Sequence, residues 1–194
     1  MTNTVLMTKM PLTTPMTLTN KMESIYALSL DAASKSNLLF RHGCVATYGG
    51  KIICRGCNTH TYSTDDFIRN SCSCHAEIFV LRYMFQKYKR QHKEEKIRRI
   101  FRKTTLYISR LTHSGDSQTS APCMDCLKII KSFEIKRIIF YHDGYQCMNP
   151  LNYMTNHLSY GKIHAQSTQA ITQATTQATT QATQATQAIT HTSR

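Results

Sequence analysis

Three residue groups in this sequence have the types and spacing to do chemistry: His75, Glu77 two positions on, and far downstream the run Pro122-Cys123-Met124-Asp125-Cys126. A tetrahedral zinc ion takes nitrogen and sulfur ligands, and a catalytic site supplies three from protein and leaves the fourth position to water. His75, Cys123 and Cys126 make such a set. Cys123 and Cys126 stand three apart, which puts both sulfurs on one face of a helix. Pro122 suits a helix start, where its missing amide hydrogen costs nothing. The positive end of that helix favours the thiolate form that a metal requires. A catalytic zinc lowers the pKa of water towards neutrality. A carboxylate beside the ligands that does not itself bind the metal can shuttle protons, and Glu77 is so placed.

The elements that must position these residues follow from periodicity. Asn20 and Glu23 stand as a capping pair before Ile25, Leu28, Ala32 and Ala33 on one helical face, up to about Lys35. Gly43 to Tyr48 reads as a strand, Gly49-Gly50 as a tight hairpin turn, and Lys51 to Gly56 as the returning strand. A helix begins near His75, with Ile78, Leu81, Arg82 and Phe85 at helical spacing. Thr104 to Arg110 is a strand, Cys123 to Phe133 a helix, and Lys136 to His142 the last core strand. The order α-β-β-α-β-α-β predicts an α/β sheet of two or three layers.

In this setting Cys74-His75-Ala76-Glu77 and Ala121-Pro122-Cys123-Met124-Asp125-Cys126 resemble the two motifs of the cytidine/deoxycytidylate deaminase superfamily. Gly43 to Asn58 is similar to the opening hairpin of that family and its Asn, Thr105 to Ile108 to its third strand, and Lys128 to Tyr141 to the helix and strand after the cysteines. The resemblance covers roughly residues 22 to 148. It implies a three-layer α-β-α fold with a central mixed sheet, Zn2+ held by His75, Cys123 and Cys126, Glu77 as the catalytic proton carrier, and substrate contacts from Asn58 and Ala76, Asn58 towards the sugar. The substrate class is left open. Phe79 stands where deoxycytidylate deaminases commonly carry Asn. Ala121 replaces the Glu usual in transfer-RNA adenosine deaminases, although Val80-Leu81-Arg82 resembles them, and polynucleotide cytidine deaminases favour Ser at Ala121.

The formal charge of +13 is concentrated. Arg82 to Lys103 holds ten lysines and arginines against Glu94 and Glu95, a net +8. Such a field attracts phosphates, on a nucleotide or on a nucleic acid, although charge runs are often only solvated helix faces. On a continuous helix Lys89 and Lys93 share a face and Lys87 points elsewhere.

The sequence divides into an N-terminal extension, 1–20, expected to be disordered; a deaminase-like domain, 21–164; and a Thr/Gln/Ala tail, 165–194, also expected to be disordered because it has little to bury. The first twenty residues have no apolar stretch of signal-peptide length, and no run approaches the roughly 20 apolar residues of a membrane span. A soluble, cytoplasmic protein without membrane contact is expected, and a homo-oligomer is compatible with it. The eight cysteines then point to metal rather than disulfides. Cys54 and Cys57 with Cys72 and Cys74 could form a second zinc site, but packing as small apolar side chains is the simpler account. Leu111 to Ala121 is a polar loop with a turn at Ser114-Gly115-Asp116, expected at a pocket mouth. Tyr141, Asp143 and Tyr145 could contact a base but fit a core edge better.

The expected activity is hydrolytic deamination of a cytosine nucleoside or nucleotide. A nucleic-acid base deaminase using the Arg82–Lys103 stretch is the alternative. A non-catalytic nucleic-acid-binding or virion-associated protein retaining the fold is a second alternative, and the intact His75, Glu77, Cys123 and Cys126 argue against it.

Overall fold

Alternation along the strands decides the layering. Cys44, Ala46, Leu106, Ile108, Ile138 and Phe140 belong to one buried cluster, while Val45, Tyr107 and Ile139, the residues between them, belong to another. Successive strand side chains point to opposite faces, so both faces of this sheet are covered. The computed structural model of the chain describes residues 15–60 and 73–192.

Helix α1 (Asn20–Ser34) leads into strands β1 (Arg41–Tyr48) and β2 (Lys51–Cys57), followed by helices α2 (Ala76–Lys89) and α3 (Glu94–Phe101). Strand β3 (Thr104–Leu111), helix α4 (Met124–Ser132), strands β4 (Arg137–Tyr141) and β5 (Tyr145–Met148), a 3-10 turn (Pro150–Asn152) and helix α5 (Tyr160–Thr192) complete the order. The sheet runs β2-β1-β3-β4-β5. Only β3 and β4 pair in parallel, with α4 as their crossover; the other pairs are antiparallel. The mixed sheet between helices is the three-layer fold that the sequence implies.

Helix α1 lies on one face, where Ile25 and Tyr26 join Val45, Tyr107 and Ile139. It lies very close. A Cβ built on Gly43 would stand 2.0 Å from the Ser29 carbonyl oxygen and 2.6 Å from the Ala33 nitrogen, so only glycine lets this helix touch β1. Helices α2, α3 and α4 share the opposite face through Val80, Met84, Ile97, Phe101, Leu127 and Ile130. The β1–β2 hairpin turns on Gly49 and Gly50 at φ +56° and +75°, the left-handed geometry expected of this turn.

Four features depart from the sequence reading. The cap of α1 is Thr19, whose hydroxyl accepts from the Met22 amide, rather than Asn20. The folded part begins before residue 20: Met16 bridges to Tyr145 and Leu18 is buried in the α1-side core. The basic stretch is not one helix, because α2 ends at Lys89 and α3 begins at Glu94; Lys89 and Lys93 therefore share no helical face. Finally, α5 extends through the Thr/Gln/Ala segment where disorder is expected. Alanine and glutamine are good helix formers, and the hydroxyls of Thr168, Thr172, Thr175, Thr176, Thr179 and Thr180 donate to the carbonyl four residues back. From Ile163 to Gln177 its described side chains are exposed, so local bonding rather than a core sustains it.

Candidate metal centre

Two helix starts meet at the site. His75 is the N-cap of α2 and Cys123 the N-cap of α4, both with extended backbone. Cys126, one turn into α4, is fully buried. His75 Nδ1 lies 3.1 Å from Cys126 Sγ and 3.5 Å from Cys123 Sγ, and the three ligand atoms fall within 4.8 Å of one another. An N···S edge of a tetrahedron built on ordinary zinc–ligand lengths measures about 3.5 Å, so the donor set fits zinc. Among the described residues no second cluster of this kind occurs.

The electrostatics suit a cation. The Cys123 thiol is held down to about 4, chiefly by its hydrogen bond with Cys126, with burial opposing and His75 assisting; burial pushes Cys126 up. Burial disfavours a charged His75, but the Cys123 sulfur more than offsets this and raises its pKa. Two buried sulfurs therefore compete for a proton that a metal would displace. Glu77, in the first turn of α2, is 4% exposed, and its carboxyl is pushed above the usual carboxylate range by burial, although His75 opposes the shift.

A family model described as "Cytidine and deoxycytidylate deaminase zinc-binding region" matches residues 19–142. The chain belongs to this deaminase family. The family is zinc-binding, and in this domain His75, Cys123 and Cys126 are arranged so that they could hold such an ion. Solved structures of similar fold include cytidine deaminase from Burkholderia pseudomallei, 14% identical, with a TM-score of 0.47 over 73% of this chain and 100% of that one. The cytidine deaminase from Mycobacterium leprae is 18% identical, with a TM-score of 0.40 over 69% of this chain and 98% of that one. A mutant cytidine deaminase from Mycobacterium tuberculosis is 12% identical, with a TM-score of 0.44 over 71% and 98% respectively. Among curated proteins none matches.

The other expected deaminase residues have definite places. Ala76 is fully buried behind His75. Asn58 is buried and clamps the start of β1: its Oδ1 accepts from the His42 amide at 2.9 Å and its Nδ2 donates to the Phe40 carbonyl at 2.6 Å. Phe79 packs over Gly56 of β2, where a Cβ would meet its ring at 2.3 Å. The Ser114-Gly115-Asp116 turn is present, with Gly115 at φ +96° and Ser114 Oγ donating to Asp116 at 2.6 Å. Tyr141 and Tyr145 pack edge-on in the α1-side core, as a core edge requires. Cys54 is driven up to about 12 by burial, with Lys87 opposing, in keeping with an apolar role; Cys72 lies outside the described residues. No helix among the described residues is long and apolar enough to cross a membrane.

Three supports of the site are absent from the sequence reading. Ser120, fully buried, donates to the Ile108 carbonyl at 2.7 Å and accepts from the Tyr141 amide at 3.0 Å, fixing the loop before Pro122 to β3 and β4. Lys162 of α5 pairs with Asp125, which stands between the two cysteines, at 2.7 Å. The His157 carbonyl accepts from the Met124 amide at 2.8 Å. A single polar residue or a contact of long sequence separation leaves no periodic trace, so no pattern announces these three.

Proposed function

We propose that the chain is a zinc-dependent hydrolase that removes the exocyclic amine of cytosine in a nucleoside or nucleotide. The observation that supports this reading is the buried Glu77 carboxyl in the turn of helix that follows His75 and faces the cysteine pair of α4. A structural zinc site has no use for a buried carboxylate with a raised pKa. A hydrolytic one does.

When bound, zinc supplies a water-derived nucleophile at neutral pH. The chain supplies the rest. Glu77 takes the proton lost by the attacking water and passes it to the ring nitrogen. It then takes the remaining proton from the hydroxyl added to the ring carbon and delivers it to the amine as the bond from that carbon to nitrogen breaks. Ammonia leaves and a carbonyl replaces it. Ala76, without bulk and with a first-turn amide that has no partner within its helix, would contact the base. Asn58 keeps one amide hydrogen beyond its clamp on Phe40, and this hydrogen would reach the sugar.

The test is incubation of the zinc-loaded protein with cytidine, CMP, dCMP and single-stranded DNA, with mass spectrometry of the products. A gain of about one mass unit, oxygen for NH, on any of the small substrates supports the reading. Conversion of the polynucleotide alone would move the activity to nucleic-acid bases, and conversion of none would reject it.

A further inference from the structure

We propose that the corner between α2 and α3 is a binding face for the phosphodiester backbone of a nucleic acid, separate from the metal site. The inference concerns a different surface from the deaminase reading and does not depend on turnover.

Charge is the first observation. From Lys87 to Lys103 there are nine lysines and arginines against two glutamates. Helix α3 turns Ile97, Ile100 and Phe101 into the core and keeps its charges outside. Glu94 is shared with Arg98 at 3.7 Å, and Arg102 is taken by Glu134 at 2.8 Å. Among the described residues, Lys89, Lys93, Lys96 and Arg99 have no carboxylate within ion-pair distance. Arg82, by contrast, turns towards Cys74 Sγ at 3.6 Å and belongs to the interior side of the basic stretch.

Local stability does not account for all of these cations. Lys87 and Lys89 end α2 and Arg98 and Arg99 end α3, where the helix dipole favours positive charge. Lys93 is the N-cap of α3 and Lys96 follows within its first turn, where the dipole opposes it. These two, with Arg99 and the ring of His92, line an open cleft of about 420 Å³, in which Glu95 is the one acidic residue. The His92 ring lies nearly parallel to that of Tyr88, at 13° with centroids 5.9 Å apart. Cations thus sit beside a flat unsaturated surface, the combination that takes phosphate and base together.

A lipid surface is the other polyanion to weigh. Membrane-surface helices pair their cations with exposed large apolar residues. No exposed large hydrophobic residue lies between Gln86 and Lys103. Nor is the cleft a limb of the metal site. His75 and Lys89 stand at opposite ends of the 14-residue α2, about 21 Å apart. A mononucleotide held at the metal cannot touch both.

The experiment measures fluorescence anisotropy of labelled oligonucleotides against the full-length, zinc-loaded protein. Separate arms carry single-stranded RNA, single-stranded DNA and duplex DNA. Four phosphate contacts give a logarithmic salt slope of about −3 for a single strand, or about 50-fold weaker binding between roughly 50 and 200 mM salt. Replacing Lys89, Lys93, Lys96 and Arg99 with Gln should flatten that slope by about three and abolish tight binding. Replacing the exposed Lys21, Lys51, Lys128 and Lys136 removes the same charge elsewhere and should leave binding within a few-fold of wild type. Absence of binding, equal loss in both variants, or tighter binding to phosphatidylserine vesicles than to every oligonucleotide would each overturn the proposal. Both variants should turn over a free nucleoside like wild type. A wild type inactive on nucleosides would reject the deaminase reading and leave this binding result standing.

Discussion

His75 and Cys123 hold the same position in two different helices: each is the N-cap, with φ −71° and ψ 151° in one and φ −69° and ψ 166° in the other. Two helix starts thus converge on one point. Their dipoles direct positive potential at it, which favours thiolate; at Glu77 burial outweighs that potential and raises the carboxyl pKa. A site built on two helix ends is as rigid as the sheet beneath them, and α2 and α4 pack on that sheet through Val80, Leu127 and Ile130.

Metal binding should depend on all three ligands. The purified protein is expected to carry close to one zinc per chain by atomic emission, and Cys123→Ala or Cys126→Ala should lose it. Because the sulfurs are buried and ligation is coupled to folding, both variants should also melt at lower temperature. Full zinc content in the two variants would show that other residues bind it.

Glu77→Gln separates binding from chemistry. The amide keeps the shape and hydrogen-bonding capacity of the carboxyl but cannot exchange its proton with the substrate. Zinc content should be unchanged while turnover falls by at least about 100-fold. Turnover within a few-fold of wild type would assign the proton transfer to another group.

Elements that follow a period were legible in the sequence. The β1–β2 hairpin, β3, α4 and β4 lie within two residues of their expected bounds, and the zinc ligands expected from H-x-E and P-C-x-x-C come together in space. The short β5 was missed, although Asp143-Gly144, now seen at φ +50° and +112°, is a hairpin signal between Tyr141 and Tyr145. Helix α3 was hidden inside the charge run, because its apolar face is only Ile97, Ile100 and Phe101. What tertiary packing alone decides stayed out of reach: Leu18 in the core, Asn58 as a clamp on β1, and Lys162 on Asp125.

The N-terminal boundary can be tested directly. Removing residues 1–20 takes away Met16 and Leu18, together with the Thr19 cap, all of which serve the α1-side core. Leu18→Ala alone should cost about 2–3 kcal/mol, at the low end for a buried leucine because the site lies at the edge of the sheet. Deleting 165–194 should cost far less, since its described side chains are exposed. Urea denaturation of the three variants checks the order, and equal stability of wild type and Leu18→Ala would return the boundary to residue 20.

Lys162 should govern how tightly the segment after the sheet is held on α4. Its ammonium and the Asp125 carboxylate are 28% and 19% exposed, less accessible than the other ion pairs among the described residues, so solvent screens the pair only in part. The Met124 amide, which donates to the His157 carbonyl, reports on the same contact from the backbone. Helix α4 does not need Lys162 to form, since its own dipole favours Asp125 in the first turn and Cys123 caps it. Lys162→Gln should therefore leave zinc content and the α4 core intact while releasing the segment. Hydrogen exchange should accelerate at Met124 and over residues 157–163, and remain slow at Leu127 and Ile130, whose side chains are buried. Unchanged exchange at Met124 in this variant would mean that the backbone contact, and not the ion pair, holds the segment in place.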